Sequence, residues 1–364
     1  MTDPLRLLVC GTTFGQVYLD AIASDPESFA LAGVLASGSG RSRRIADERG
    51  VPLYTAVDQL PADIDAACVV VRSGLLGGPG TRLAEALLER EVHVLQEHPV
   101  HHDELAGCLR LARKHGVQYR LNTFYEHLEP TRMFLGAAAE LLQRRKPLFI
   151  DGAAGFPVAF GLLDLIGGLL GGVRPWWFGP LATPPEQHTG RPGLRVLSGS
   201  IAGVPVSLRI QHQLDPVHPD NPAELLHGLS LTVEGGTLHL VTIHGPIVWA
   251  SRPRLPAAAA PGIPCAADPP AATAVLGPDR TPSFSDCVVT LWPEAVRHAL
   301  HDLRTAVVEE HDVMRRGRYH LSLCQAWQDL AKQLGPPELV SLEPGAELTA
   351  TDLRAVFDAG TGQP

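Results

Sequence analysis

The sequence predicts an α/β fold: a doubly wound parallel sheet, followed by an α+β domain with a large, mostly antiparallel sheet. Over about the first 125 residues, short apolar segments alternate with helical patterns, which is typical of repeated βαβ units. The apolar segments there are almost uninterrupted, as in AACVVV (66–71), which indicates strands covered on both faces. After about residue 145, segments of alternating polar and apolar residues follow one another, which favours an antiparallel sheet.

The composition is that of a globular chain with two domains of ordinary size. Of its 364 residues, 45% are hydrophobic and 19% charged, and the net charge of −9 argues against nucleic acid as the main partner. The six cysteines form no CxxC pair, so we expect buried thiols in a reducing cytoplasm. No signal peptide is evident, and glycines and Asp164 interrupt the apolar stretch 157–173 too often for a membrane span.

The first predicted domain covers residues 1–125 and alternates strands with helices. Its predicted strands are 5–11, 29–36, 64–71, 93–97 and 117–124. Its predicted helices are 16–24, 41–50, 80–90 and 103–115, and Gly50 is the expected end of the second one.

The second predicted domain covers residues 126–364. It begins with a helix over 157–170 and continues with strands in GLRVLSGSIAG, VPVSLRIQHQL, LHGLSLTVEGG, TLHLVTIHG and PIVWASRP. Residues 233–238 predict a hairpin turn, and the six prolines of 253–270 predict a long surface loop. Helices are predicted over 293–316 and 318–334.

The turn after the first strand has the chemistry of a dinucleotide-binding turn of the Rossmann type. Against the fingerprint GxGxxG, Gly11 matches the first glycine, Thr13 and Gln16 replace the other two, and Gly15 supplies flexibility one residue early. Such a turn directs backbone N–H groups at a pyrophosphate beside the helix N-terminus. The alternative is an ordinary tight turn. The expected binding residues are Gly11, Thr12, Thr13, Phe14 and Gly15.

The end of the second strand favours NADP over NAD. An NAD site usually has an acidic residue here for the ribose hydroxyls, whereas residues 35–44 read LASGSGRSRR. Hydroxyl, amide and guanidinium groups suit a dianionic 2′-phosphate. The alternative is a solvated helix start capped by serine. The candidate residues are Ser37, Gly38, Ser39, Ser42 and Arg43.

Residues 95–104, LQEHPVHHDE, follow the fourth strand at the edge where ligands meet a doubly wound sheet. A zinc site made of His98, His101 and His102 is disfavoured, because adjacent histidines diverge at a helix start and no further ligand completes a tetrahedral set. We expect His101 and His102 to face solvent at the start of a helix, beside Asp103 and Glu104.

The chain resembles the Gfo/Idh/MocA oxidoreductase family, and within it the thiazolinyl imine reductases of siderophore biosynthesis. The segments that carry the resemblance are FGQVYL (14–19), VVVRS (69–73), GGPGT (77–81), VLQEHPVHHDE (94–104) and LNTFYEH (121–127). The family carries Glu-Lys-Pro where this chain has Glu97-His98-Pro99. The sugar-oxidising branch also carries GxxxDxxxH. Here Asp164 is present but Gly168 replaces the histidine, which argues against sugar dehydrogenation.

The resemblance implies an NADPH-dependent enzyme that reduces a thiazoline C=N bond to thiazolidine. The substrate would be a siderophore intermediate, held as a thioester on a peptidyl carrier domain of a nonribosomal peptide synthetase. Imine reduction needs a positioned acid beside the hydride donor. His98 and Tyr125 lie at successive predicted strand ends and are the proposed acids, in either order. We also expect cofactor contacts from Arg72, Ser73, Glu97 and His98.

Other readings stay open at this point. The alternative for His98 is a capping or surface residue in a turn, and that for Tyr125 is a packed aromatic; His127 is expected at the surface. Residues 176–178 (WWF) are an apolar wall for a heterocyclic substrate, core packing or an interface. The broad second sheet suggests a homodimer. The rival functions are another oxidoreductase of this fold acting on a free small molecule, and a non-catalytic NADP-sensing regulator.

Overall fold

The structure is a computed structural model, which describes residues 3–73, 78–182, 194–217, 225–253, 271–278, 282–341 and 349–360. Apart from residue 253, the predicted proline-rich loop lies outside the described residues, as does Gly77 of the GGPGT segment.

The first part of the chain forms a six-stranded, fully parallel sheet with the order β3-β2-β1-β4-β5-β6, so the prediction of a doubly wound α/β sheet is confirmed. Only β3, a two-residue edge strand, was not predicted from the sequence. The elements are β1 (Leu5–Cys10), α1 (Gly15–Ala23), β2 (Phe29–Leu35), α2 (Gly40–Arg49), β3 (Leu53–Tyr54), β4 (Ala66–Val69), α3 (Pro79–Leu88), β5 (His93–Glu97), α4 (His102–His115) and β6 (Tyr119–Asn122).

Local chemistry explains where these elements begin and end. Gly50 ends α2 in the left-handed conformation, as predicted, and Pro79 stands in the first turn of α3, where its missing N–H costs nothing. Residues 7–10 of β1 and all of β4 are inaccessible to solvent, and they carry Cys10 and Cys68 as free, buried thiols. Burial raises the pKa of both thiols, so neither is a reactive thiolate at neutral pH.

The second part of the chain forms an eight-stranded sheet with the order β15-β14-β13-β12-β7-β10-β9-β8, in which only β7 and β10 pair in parallel. The predicted antiparallel sheet and the hairpin between β12 and β13 are therefore confirmed. The elements are α5 (Glu129–Arg144), β7 (Pro147–Gly155), α6 (Ala159–Leu170), β8 (Trp176–Leu181), β9 (Leu194–Ile201), β10 (Val204–Gln211), β11 (Gln213–Leu214), β12 (His227–Val233), β13 (Gly236–Leu240), β14 (Ile247–Ser251), β15 (Thr273–Gly277), α7 (Phe284–Asp286), α8 (Trp292–Val308), α9 (Met314–Leu334), β16 (Glu338–Leu339) and α10 (Ala350–Gly360).

Two of the differences from the predicted elements have physical reasons. The central strand β7 was missed because its sequence, PLFIDGAAG, has low strand propensity and is stabilised by pairing on both sides. Helix α5 was also missed. The helix predicted over 293–316 is wrong beyond residue 308, because the chain turns at Glu310, which has a φ of 49°, before α9 begins at Met314.

The long helices of the second part pack on the first sheet's helices and so position the site. Helix α8 lies along α1, with His301 bonded to Asp25 at 2.8 Å. Helix α9 packs against both α4 and α6. The domain boundary at residue 125 stays a prediction; β6 ends at Asn122 and α5 begins at Glu129. In the part of the chain described, no helix combines the length and apolar character needed to cross a membrane.

Candidate active site at the ends of the parallel strands

The turn between β1 and α1 has the geometry that a bound pyrophosphate requires. Gly11 has a φ of 97°, and a Cβ there would lie 2.5 Å from the carbonyl oxygen of Val70. Only glycine fits this position. Helix α1 begins at Gly15, so its free N–H groups face the ends of the strands. Thr12, Thr13 and Phe14 form the turn between them, partly exposed, which is compatible with a dinucleotide.

At the end of β2, serine capping and a cationic side chain occur together. The hydroxyl of Ser39 accepts a hydrogen bond from the backbone N–H of Ser42 at 3.2 Å and caps α2, so the predicted serine cap is present, and 2′-phosphate binding by this segment stays a prediction. Ser42 is buried and its hydroxyl donates to the carbonyl of Ser39. Ser37 and Arg43 are exposed, and Gly38 has a φ of 75°. The exposed hydroxyls and the guanidinium therefore leave a polar, acid-free surface beside the turn.

Arg72 and Ser73 follow β4 and differ in their surroundings. Ser73 is 3% exposed, and its hydroxyl accepts from Thr81 at 3.1 Å and from Gln96 at 2.8 Å. Its side chain is therefore engaged in a buried network between α3 and β5. Arg72 is exposed at the strand end, where a cofactor contact stays a prediction.

Glu97 and His98 form a fixed pair at the end of β5. Nδ1 of His98 lies 2.8 Å from Oε1 of Glu97 and 3.1 Å from the carbonyl oxygen of Asn122. Since both neighbours are acceptors, Nδ1 carries the proton, and Nε2 is the nitrogen that can exchange a proton with a ligand. The other carboxylate oxygen of Glu97 accepts from the hydroxyl of Tyr18 and from Asn122 at 3.3 Å. Glu97 thus orients the imidazole.

Tyr125 lies beside His98, as the successive strand ends predict. The two ring centroids are 5.6 Å apart in an edge-to-face arrangement. Phe160 of α6 stacks on His98 from another side, at 5.7 Å. His227 contacts the Tyr125 ring at 4.3 Å, and its Nε2 lies 2.7 Å from the carbonyl oxygen of Val158. Burial lowers the pKa of His227 to about 4, so this imidazole is neutral at pH 7.

An aromatic cluster continues from Tyr125 to the phosphate-binding turn. The Phe124 ring lies 5.4 Å from those of both Tyr125 and Phe14, and Trp292 at the start of α8 lies 5.9 Å from Phe14. Trp292 follows a π-helical turn over Cys287–Leu291, a feature frequent at functional sites. Sequence reasoning missed Trp292 and His227, because neither lies in a recognisable motif.

The tryptophan pair of β8 is not part of this cluster. Trp176 donates its indole N–H to Asp329 of α9 at 3.1 Å, Trp177 is 59% exposed, and Phe178 is buried in the core. None of the three contacts the rings around His98. These contacts support packing for Trp176 and Phe178 but not for the exposed Trp177. The wall beside the candidate acids is instead made of Phe14, Phe124 and Trp292.

Three histidines expected to face solvent do not. The side chain of His127 is only 12% exposed and lies 3.5 Å from Oε1 of Glu126, and burial lowers its pKa. His101 caps α4, and both His101 and His102 are half-buried against Gln328 and Gln325 of α9. The surface prediction was wrong because α9, from far along the chain, covers the start of α4.

The site therefore combines two chemical capabilities. The turn after β1 and the polar surface after β2 fit a dinucleotide, which would lie across the ends of the parallel strands. Beside this edge, an oriented imidazole and a phenol are in contact and can protonate or hydrogen-bond an acceptor.

Comparisons with known proteins agree with this geometry. Residues 5–123 match the oxidoreductase family GFO_IDH_MocA, with an NAD-binding Rossmann fold, and residues 181–250 match the C-terminal domain of Irp3-like thiazolinyl imine reductases. The comparison with curated proteins gave no match.

Solved structures share the whole fold at low sequence identity. The WlbA dehydrogenase from Bordetella pertussis, in complex with NADH and UDP-GlcNAcA, superposes with a TM-score of 0.64 and 14% identity, covering 94% of this chain and 100% of its own. A mutant of the 3-ketoreductase KijD10 from Actinomadura kijaniata, with TDP-benzene and NADP, gives 0.64 and 14%, covering 93% and 100%. An oxidoreductase from Agrobacterium radiobacter, with NAD⁺, L-tartaric acid and magnesium, gives 0.64 and 12%, covering 90% and 95%. At these identities the likeness shows the fold alone.

Proposed function

We propose that this chain, an NAD(P)-dependent oxidoreductase of the Gfo/Idh/MocA type, is an NADPH-dependent thiazolinyl imine reductase. It would reduce a thiazoline C=N bond to thiazolidine in a siderophore intermediate tethered to a peptidyl carrier domain. The observation that carries the proposal is the contact between His98 and Tyr125 at the strand ends, in a chain that has histidine at the family's lysine position. The Irp3-like match of the second domain supports the same substrate class.

The chain's residues would supply the acid half of the reaction. Bound NADPH supplies the hydride to the imine carbon, and a side-chain acid must then provide a proton to the nitrogen. A phenol holds its proton at neutral pH, whereas an imidazole exchanges one readily, so Tyr125 and Nε2 of His98 are both suited to this step. Glu97 would hold the imidazole of His98 in place through the contact at Nδ1. The order of the two acids stays open.

The surroundings of the acids suit a flat, apolar ring. The partly exposed Phe14 and Trp292 pack with the buried Phe124 next to Tyr125, and such rings stack on conjugated heterocycles. The preference for NADPH is supported by Arg43 and the absence of an acidic residue over 35–44. A tethered substrate would need an open crevice for the phosphopantetheine arm. We further propose a cytoplasmic homodimer, since the five cysteines in the described part of the chain are free and the second sheet exposes apolar side chains such as Leu148 and Val196.

The decisive experiment is an NADPH-oxidation assay with a thiazoline-bearing acyl-carrier thioester or a small thiazoline thioester analogue. We expect turnover by the wild-type protein, with NADPH preferred to NADH. Tyr125→Phe keeps the ring shape and His98→Gln keeps a polar side chain, but each removes the acid. The variant that lacks the proton donor should have a kcat about 10²–10⁴-fold lower. NADPH oxidation at the enzyme-free rate would eliminate the proposed function. If both variants turn over as fast as the wild-type protein, the proposed reaction stands, but neither Tyr125 nor His98 is the acid that protonates the imine.

A further inference from the structure

The chain between β6 and the following helical turn makes a strained γ-turn at the candidate active site. The N–H of Tyr125 donates to the carbonyl of Thr123 at 2.7 Å, and Phe124 between them has a φ of 66° and a ψ of −55°. The γ-turn with positive φ is rare, and for a bulky residue such as phenylalanine this conformation is unfavourable. A residue in such a region raises the free energy of the folded chain and persists only where its surroundings hold it.

The side chains of the two residues just before Phe124 hold the turn in place. The amide oxygen of Asn122 accepts from the backbone N–H of Phe124 at 3.0 Å. The hydroxyl of Thr123 donates to Oδ2 of Asp164 at 2.6 Å, and Thr123 is fully buried. The first contact is local, whereas the second joins the turn to helix α6 of the second sheet's layer.

The carboxyl group of Asp164 has no oxygen left for a substrate. Its Oδ1 accepts from the hydroxyl of Tyr319 at 2.7 Å, its Oδ2 accepts from Thr123, and the residue is 2% exposed. Burial, aided by the charge of Glu126, raises the pKa of Asp164 to about 6, and the hydrogen bonds from Thr123 and Tyr319 oppose that rise. The carboxylate form that accepts both hydroxyl protons therefore predominates at pH 7.

Helix α6 contacts the turn at two positions on one face. Gly161 lies against the ring of Tyr125, and Asp164 follows three residues later and bonds Thr123. One turn beyond, a Cβ on Gly168 would meet nothing within 4 Å, so the helix has no side chain there to work alongside the carboxylate.

We infer that Asp164 is a positioning residue, whose carboxylate anchors Thr123 and thereby holds the strained turn that sets the Tyr125 ring against His98. In the pattern of the sugar-oxidising branch the aspartate flanks the reacting carbinol, whereas Asp164 is bonded to Thr123 and Tyr319. The inference rests on the proposed function, since it requires Tyr125 to act on the substrate.

The test compares two variants that remove one hydrogen bond each from the same carboxylate. Thr123→Val keeps the side-chain shape and cuts the link to the turn, whereas Tyr319→Phe cuts the other link and leaves the turn untouched. With the thiazoline thioester and NADPH, we expect Thr123→Val to lower kcat by roughly 10- to 100-fold, the effect of displacing a catalytic group by about 1 Å. The KM of Thr123→Val should change little. Tyr319→Phe should keep kcat near the parent value. Thr123→Ser, which restores a hydroxyl, should recover most of the parent kcat.

A double-mutant cycle separates positioning from a general structural effect. If the Thr123 link acts through Tyr125, Thr123→Val should lower kcat far less in a Tyr125→Phe background than in the parent. Equal losses for Thr123→Val and Tyr319→Phe, full additivity in the cycle, or an unchanged kcat in Thr123→Val would each overturn the inference. The proposed function fails separately, if the parent protein does not oxidise NADPH with the thioester.

Discussion

Adding a single methyl group to Gly161 should displace the ring of Tyr125 and slow the reaction. A Cβ at this position would lie 2.4 Å from Cδ2 and 2.9 Å from Cε2 of Tyr125, and 3.2 Å from Nε2 of His227. Ordinary van der Waals contact begins near 3.4 Å, so the ring must move by about 3.4 − 2.4 = 1.0 Å. His227 blocks one direction of escape, because it already contacts the ring at 4.3 Å.

A shift of this size has separate consequences for rate and stability. Misplacing a catalytic group by about 1 Å costs up to about 10²-fold in rate. Inserting a methylene-sized group into a packed site costs about 1–3 kcal/mol of unfolding free energy. We therefore expect Gly161→Ala to lower kcat for thiazoline reduction by up to about 100-fold, with the affinity for NADPH unchanged, since Gly161 is not part of the turn after β1.

The matched control is Gly168→Ala on the same helix. Gly168 is exposed and a Cβ there meets nothing within 4 Å, so alanine should raise the unfolding free energy by about 0.5–1 kcal/mol through helix propensity alone. Steady-state kinetics and guanidinium denaturation of both variants measure the difference. A Gly161→Ala variant that keeps the parent kcat would refute the assignment of Tyr125 as a group whose position limits the reaction.

Three further predictions concern the cofactor, the substrate and pH. Arg43→Ala should raise KM for NADPH by about 10- to 100-fold, the loss of one charge-assisted contact, with KM for NADH unchanged. Trp292→Leu should weaken the binding of an aryl-bearing thiazoline substrate by about 0.5–1.5 kcal/mol and leave that of an alkyl-bearing substrate unchanged. The ratio of the kcat/KM values for the two substrates measures the difference. For Asp164, the pKa of 3.8 in the unfolded chain rises to about 6 on folding, so the folded state binds the proton more tightly. Its contribution to stability is complete below about pH 3.8 and lost as the pH rises through about 6, so denaturation should show the parent losing up to about 3 kcal/mol relative to Asp164→Asn over that interval.

The elements of the fold that could be predicted from the sequence are those whose signals are local in the chain. The strand His93–Glu97 was predicted to the residue, because an apolar run bounded by a helix end and a proline identifies a buried strand without outside help. The strand β7 was invisible, because glycine and alanine have no strand preference of their own and the segment depends on its two neighbours. The break at Glu310 was missed for a different reason. Its backbone is left-handed, but the residue is not glycine, which is the usual sequence signal of a helix end.

For the candidate site, the sequence alone determined the order of strands and helices, the glycine turn, and the placing of His98 and Tyr125 at neighbouring strand ends, since periodicity and turn chemistry are local properties of the chain. Only the tertiary structure decided that Asp164 binds Thr123 and that Trp292 stands beside the phosphate-binding turn. These partners are far apart in sequence and meet through the packing of α6 and α8, and no local pattern encodes which distant helix face will cover a given turn.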